Sequence, residues 1–406
     1  MNRTITVLFC FNILLVSVES AAAPSTPVAF ASTLPDASCA IHPDGQTEPS
    51  GEVFSDHAGI ARFYEPPLSW GRKLLLDCTS PDGTNASTVV DLDQSVTYQV
   101  PAGGQVTALP KIRQPLTGDL TKYSANELIA MGFPPRPSQG SSLYPTWVQI
   151  VSQRVVVLPF QPIARLDKMP EIQSNNNKIW GGPFLDQKGL TYALANASFT
   201  APPVTNPGTN EMAMWVGLGG TPAGATSCGG TGTSSPLIQA GIAYEVGYYA
   251  WIEYIATNQP QQIVSVDVFP SDSMFVAVWA SDQFGDINVA GGYGSFYLQD
   301  STQNWVMEPQ PVKAPSGSTF VGNTADYIIE RETLTNSQGQ ILAYEPLVDY
   351  GSASMTIIAQ DSTGNDNHNF SSDTTVVCNL VDQSNLPMEN ASATSDVASF
   401  SWIRSN

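Results

Sequence analysis

The 406-residue chain is 42% hydrophobic and only 13% charged, with 36 Asp plus Glu against 16 Lys plus Arg and a formal net charge of −20. So base-poor a protein cannot supply the clustered Lys and Arg that nucleic-acid binding needs. Its length and apolar content exclude a disordered chain and allow two or three domains, and its three histidines leave few ligands for zinc.

Taken in chain order, the first feature is Arg3 followed by an apolar run over residues 5–18 and then Ala21, Ala22 and Ala23, which reads as a signal peptide over residues 1–23. No later stretch approaches the roughly 18 apolar residues of a spanning helix. The mature protein is therefore expected to be exported, secreted or held in the periplasm or cell envelope, with no membrane partner. Removing the signal peptide takes Cys10 with it and leaves Cys39, Cys78, Cys228 and Cys378, an even number in an oxidising compartment. Cys39–Cys78 and Cys228–Cys378 are the favoured pairs because each stays within one domain; the other connectivities remain open at this point.

Residues 24–112 alternate short β-type runs, at 59–64, 73–76, 88–92 and 95–100, with turn clusters such as Ser80-Pro-Asp-Gly83. They predict a small β-rich N-terminal domain, with His42 and His57 on its surface. Residues 113–177 read differently. Ser124-Ala-Asn-Glu127 is a capping box opening a short helix that runs to about 131, and Gly132-Phe-Pro-Pro-Arg-Pro137 ends it. A connecting segment with Arg136, Arg154, Arg165 and Lys168 follows and closes in the polar Gln173-Ser-Asn-Asn-Asn177, the kind of stretch proteases nick.

From residue 178 strand follows strand, at 193–200, 212–218, 238–246, 249–255, 263–269, 274–280, 294–298, 327–330, 354–359 and 399–403, with Gly, Pro, Asn and Asp between them. Ten short strands without a helical period predict an all-β fold, an antiparallel β-sandwich. Residues 24–170 hold ten basic and thirteen acidic residues, whereas 171–406 hold five and twenty-two. The C-terminal part thus carries nearly all the excess negative charge. Such a surface repels itself at neutrality and sheds charge as pH falls towards about 4, which suits an acidic medium, although it also serves simple solubility.

Exclusion narrows the chemistry. His368 is the one histidine after residue 57, in the polar loop Asn365-Asp-Asn-His-Asn369, so a serine or cysteine nucleophile with a histidine base has nowhere else to find one. No metal-ligand cluster is visible, and no metal or cofactor is expected. Asp361-Ser-Thr-Gly364 carries one residue too many for the paired Asp-Thr-Gly turns of pepsin-like enzymes. Carboxylate and amide chemistry remains.

Six segments then fall into order: Ile179-Trp-Gly-Gly182 with Ala197-Ser-Phe-Thr-Ala-Pro202, Met214-Trp-Val-Gly-Leu-Gly-Gly220, Leu237-Ile-Gln-Ala-Gly241, Tyr249-Ala-Trp-Ile-Glu-Tyr254 and Ala325-Asp-Tyr-Ile-Ile-Glu330. In order and approximate spacing they resemble the eqolisins, the glutamic peptidases, over about residues 178–406, and 113–177 with its Gly-Phe-Pro-Pro-Arg-Pro looks like the pro-segment of bacterial members. The resemblance implies a lectin-like (concanavalin-like) jelly roll of two curved antiparallel sheets. It makes Gln239 and Glu330 the catalytic dyad, and it sets Trp180, Trp215 and Glu253 along the substrate cleft. It further implies an acid-acting, pepstatin-insensitive endopeptidase, made as a zymogen and working as a monomer on protein or peptide substrates. Fungal members carry aspartates where Gly219 and Ala243 stand, so some cleft hydrogen bonds must differ here.

The physical logic of the pair is independent of the family. An ionised Glu330 takes a proton from water and later returns one to the leaving amine, while the neutral Gln239 amide donates to the oxyanion at any pH. Taken singly, Glu330 reads as a rim carboxylate beside Arg331 and Glu253 as a buried hydrogen-bonded one. Two rival functions are a lectin-like module that binds glycans on Trp180 and Trp215 or hydrolyses them with Glu253 and Glu330, and a non-enzymatic adhesion module. Asn85, Asn196, Asn369 and Asn390 begin glycosylation sequons.

Overall fold

The computed structural model describes residues 112–158, 162–165, 178–206, 210–221, 236–245, 247–255, 261–307, 311–314, 317–335 and 341–406, together with isolated stretches between 29 and 108. Residues 1–23, and so the signal-peptide reading, lie outside them, as do His57 and Cys228.

The N-terminal stretches form two four-stranded sheets. In one, Ser38–Pro43 pairs antiparallel with Lys73–Thr79 and sets Cys39 opposite Cys78; a disulfide joins them, the favoured pair within one domain. Cys378 is also disulfide-bonded. His42 corrects its surface reading: it is buried, and its Nε2 lies 3.1 Å from Asp77 Oδ2 of the neighbouring strand, on the face opposite Cys39 and Ile41.

The elements from residue 112 onward are β1 (Ile112–Arg113), α1 (Ala125–Ala130), α2 (Leu143–Val151), β2 (Val155–Leu158), β3 (Pro162–Arg165), β4 (Trp180–Leu185), β5 (Tyr192–Thr200), β6 (Met212–Gly219), β7 (Leu237–Tyr244), β8 (Tyr248–Ile255) and β9 (Gln261–Val268). They continue with β10 (Ser273–Ser281), β11 (Tyr293–Asp300), β12 (Trp305–Met307), β13 (Val312–Lys313), β14 (Ala325–Glu330), β15 (Thr333–Thr335), β16 (Ile341–Tyr344), β17 (Ser352–Asp361), β18 (Thr375–Cys378), β19 (Glu389–Thr394) and β20 (Val397–Trp402). Ten strands make one sheet in the order β19-β20-β17-β5-β10-β11-β12-β2-β1, with β13 added beside β11; eight make the other, β3-β9-β8-β7-β6-β14-β4-β18. Apart from the β2–β12 pair, which is parallel, both sheets are antiparallel. This is the β-sandwich the strand pattern predicts.

Alternation builds the core. Met214, Val216, Ile238, Ala240, Ile242, Ile252, Tyr327 and Ile329 of the eight-stranded sheet meet Ala195, Ala197, Val276, Val278, Phe296, Leu298, Ile357 and Ala359 of the ten-stranded sheet in one buried cluster. Each such side chain contributes about 1.5–3 kcal/mol on burial if it is a Val, Leu, Ile, Phe or Met.

A second cluster lies on the outer face of the ten-stranded sheet. Leu143, Trp147, Ile150 and Val151 of α2, one stripe at helical spacing, pack with Leu128, Ile129 and Phe133 against Leu194, Phe275, Ala277, Trp279, Tyr297 and Ile358. The predicted capping box at Ser124 and Glu127 is present with both its bonds. The predicted stop is a Schellman turn: Phe133 N–H bonds Leu128 O at 2.9 Å, Gly132 N–H bonds Ile129 O, and Gly132 takes φ +79°. The reading of 138–170 as a mere connection missed α2, β2 and β3. Pro145 falls in the first turn of α2, where no intrahelical donor is lost.

Candidate active site

The alternation that sends Met214, Val216, Ile238, Ala240, Ile252 and Ile329 into the core turns their neighbours to the outer face of the eight-stranded sheet. Register then sorts those neighbours into cross-strand rows. Trp180, Glu330, Ala213, Ala243 and Tyr249 form one row across β4, β14, β6, β7 and β8. Ile328, Trp215, Gly241 and Trp251 form the next, and Phe184, Asp326, Gly217, Gln239 and Glu253 the third. All five site residues expected from sequence therefore share one face. Gln239 and Glu330 stand at opposite corners of this patch, with Trp215 on the diagonal between them.

Trp215 spans that diagonal. Its Nε1 donates to Glu330 Oε2 at 2.7 Å, and its benzo edge lies over Gly217, the residue paired with Gln239. The ring fits because its neighbours lack side chains. A Cβ on Gly217 would come within 2.8 Å of Trp215 Cζ3, and one on Gly241 within 2.1 Å of Met214 O. Trp180 packs edge-on against Trp215, ring centroids 5.0 Å apart, and closes the same end. Arg331 does not follow the rim reading: its guanidinium donates to Glu345 O and Asn406 Oδ1.

At the other corner Gln239 Nε2 donates to Glu253 Oε2 at 2.8 Å, and both side chains are buried, 3% and 5% exposed, while Glu330 is partly open. One amide proton remains for another acceptor. Among the described residues Gln239 Oε1, Glu253 Oε1 and Trp251 Nε1 meet no hydrogen-bond partner although all are buried. A water or a substrate group would satisfy these three atoms. Burial pushes the Glu253 carboxyl well above the usual range; the Gln239 bond pulls it down, and the charges of Glu330 and Glu332 raise it further. Glu253 is thus a neutral acid in acidic medium, and it adds no second charge beside Glu330.

Two members of the patch escaped the sequence reading. Trp251 and Asp326 share the face by the period of two that links them to Glu253 and Glu330. Asp326 is fully buried; that burial raises its carboxyl strongly, against the lowering effect of the Thr324 hydroxyl bond and with a further rise from Asp186. Gly219 and Ala243 are explained locally. Gly219 adopts φ +86°, where an aspartate would be strained, and Ala243 lies between Ala213 and Tyr249 in the row of Glu330.

His368 stands elsewhere. It is buried in the β17–β18 connection, with Nδ1 2.9 Å from Asp373 and Nε2 3.2 Å from Asp361. Among the described residues no group of three or more His, Cys, Asp or Glu could hold a metal ion, and no helix is long and apolar enough to cross a membrane.

The model of the peptidase A4 family matches residues 178–401. Among solved structures the chain is similar to scytalido-glutamic peptidase with a peptide-based transition-state analogue, at 18% identity over 56% of this chain and 100% of that one, with a TM-score of 0.45. It is also similar to SCP-B, a member of the eqolisin family, in a complex with the tripeptide Ala-Ile-His, at 19% identity over 56% and 100% with a TM-score of 0.45. A comparison with curated protein sequences returns no match.

Proposed function

The chain belongs to the peptidase A4 family, the eqolisins, and we propose that it is an exported glutamic endopeptidase that cleaves proteins or peptides in acid with Glu330 and Gln239 as its catalytic pair. The observation that carries this reading is the shared sheet face on which Trp215 tethers a partly exposed Glu330 diagonally across from the buried Gln239 amide.

In the proposed reaction an ionised Glu330 accepts a proton from a water whose oxygen attacks the scissile carbonyl carbon. The carbonyl electron pair moves to oxygen, and the Gln239 N–H left free by Glu253 donates to the developing oxyanion. Glu330 then returns the proton to the amide nitrogen as the C–N bond breaks, giving a carboxylic acid and an amine. A neutral Glu253 suits this scheme, since its Oε2 fixes the amide through one proton and leaves the other free. The chemistry needs Glu330 both as base and as acid, which favours a pH near the ordinary carboxylate range, about 4. Trp180 and Trp215 would border the bound peptide. The signal-peptide composition of residues 1–23 supports export.

The test is hydrolysis of an acid-denatured protein at about pH 3.5, with and without pepstatin. Pepstatin-resistant cutting that disappears in Glu330→Gln is the expected result, and undiminished cutting by that variant refutes the assignment. Glycan hydrolysis by Glu253 and Glu330 makes a different demand, because Gln239→Ala would then leave activity nearly intact.

A further inference from the structure

The family resemblance makes residues 113–177 a pro-segment, yet the part of it seen here is built into the sandwich. We propose that residues 112–158 are a permanent part of the enzyme, held non-covalently even when the chain is cut C-terminal to them, rather than a pro-segment that leaves.

Three kinds of contact carry this inference. The first is the sheet itself: β2 continues the ten-stranded sheet beside β12, pairing Val156 with Trp305, and β1 adds the outermost strand, pairing Arg113 with Val155. The second is the apolar cover. Trp147 is fully buried with its Nε1 bonded to Pro134 O, and with Ile150 and Val151 it covers Phe275, Trp279, Tyr297 and Ile358. Losing that cover would bare a contiguous aromatic and aliphatic patch, and also Asn196, which shares its face and is now fully buried. The third is a buried cation. The Arg113 guanidinium donates to Tyr297 Oη, Gln299 Oε1, Gly132 O and Ile150 O and lies 4.3 Å above the Phe133 ring, and Gln299 in turn donates to Gln153.

The chemistry of these contacts decides between retention and release. A basic pro-segment held by sandwich carboxylates would detach as acid protonates them. Arg136 has one sandwich carboxylate near it, Asp366, but its hydrogen bonds go to Leu120 O and Tyr123 O within its own segment, and Arg113 bonds a phenol, an amide and backbone carbonyls as acceptors. None of these acceptors is protonated in mild acid. The location agrees, because the segment covers the outer face of the ten-stranded sheet while the candidate dyad sits on the other sheet. Its departure would uncover no catalytic group.

The experiment replaces residues 170–176 of the full chain with the recognition sequence of a site-specific protease, cuts the purified protein, and separates it by size at pH 4 and at low micromolar concentration. The added protease makes the cut, so the result does not depend on whether the chain is itself a peptidase. Co-elution of the N-terminal fragment with the C-terminal one, and a melting midpoint unchanged by cutting, are expected. Elution of the N-terminal fragment by itself overturns the proposal, whatever the state of the remainder. A second cut protein carrying Trp147→Ala and Ile150→Ala should release the fragment at least tenfold faster. An unchanged release rate would mean that α2 does not hold the segment, and would also overturn it.

Discussion

The two sheets put their outer faces to different uses. On the ten-stranded sheet Phe275, Trp279, Tyr297 and Ile358 are sealed under α1 and α2, where the Arg113 guanidinium bonds Tyr297 and Gln299 while Arg113 Nε and the Asn196 amide are buried without partners. On the eight-stranded sheet an equally aromatic face, with Trp180, Trp215, Trp251 and Tyr249, surrounds Gln239, Glu253, Asp326 and Glu330 and leaves buried polar atoms without partners. Aromatic content therefore does not mark the candidate site. Unpartnered buried atoms do not mark it either, since both faces hold them; what sets it apart is that three carboxyl groups, Glu253, Asp326 and Glu330, share its face with the Gln239 amide.

That contrast can be broken at either face. The largest effect is expected from Trp147→Ala, which should lower unfolding stability by about 3–5 kcal/mol through lost burial and an imperfectly filled space, while kcat per folded molecule stays unchanged; a comparable fall in kcat, measured well below the melting range, would mean that the faces are coupled. Gln239→Ala on the other face should reverse the pattern, with kcat falling about 10²–10³-fold and the denaturant midpoint moving little. A third test uses pH. Burial raises Glu253, Asp326 and Asp300, and raises Glu389 to about 8. Because their folded values lie above the ordinary values of 3.8 for Asp and 4.5 for Glu, the folded state binds more protons than the unfolded one between those limits. Stability from these groups is complete below about 4 and declines as pH rises towards 8, so the melting midpoint at pH 7 should lie below that at pH 4 by on the order of 10 °C. A higher midpoint at pH 7 would show that these groups are charged in the folded protein. The smallest effect is expected from Trp215→Phe. It keeps the ring over Gly217 but removes the donor to Glu330, and should cost about tenfold in kcat with KM nearly unchanged; rate loss confined to KM would make Trp215 a binding residue alone.

Much of this was legible in the chain and some of it was not, for identifiable reasons. β-Type runs separated by turn residues predicted the strands of both regions, because period-two burial writes itself into sequence. Among the strands missed, β4 contains Gly181, Gly182 and Pro183 and β19 is a polar edge strand with exposed Asn390, whereas β2 was missed although Val155-Val-Val-Leu158 favours a strand. Asn196 begins a sequon like the others, yet it stands beside Ala277 and Ile358 on the face that α2 covers and is fully buried. At the site the ordered motifs pointed to Gln239, Glu330, Trp180, Trp215 and Glu253, while Trp251 and Asp326 needed the register to join them.

By itself the sequence determined which residues alternate in and out, where the α1 cap and stop fall, that Cys39 has Cys78 within reach, and that an acid-rich chain with three histidines must look to carboxylates and amides for chemistry. These are local or compositional properties, set by neighbours along the chain. Only the tertiary structure decided that Trp215 bridges Gly217 and Glu330, that Glu253 is a buried neutral partner of Gln239, and that residues 112–158 roof the opposite sheet. Each of these depends on which strands lie side by side and on which faces are shielded from water, and pairings between residues more than a hundred positions apart leave no periodic trace in the sequence.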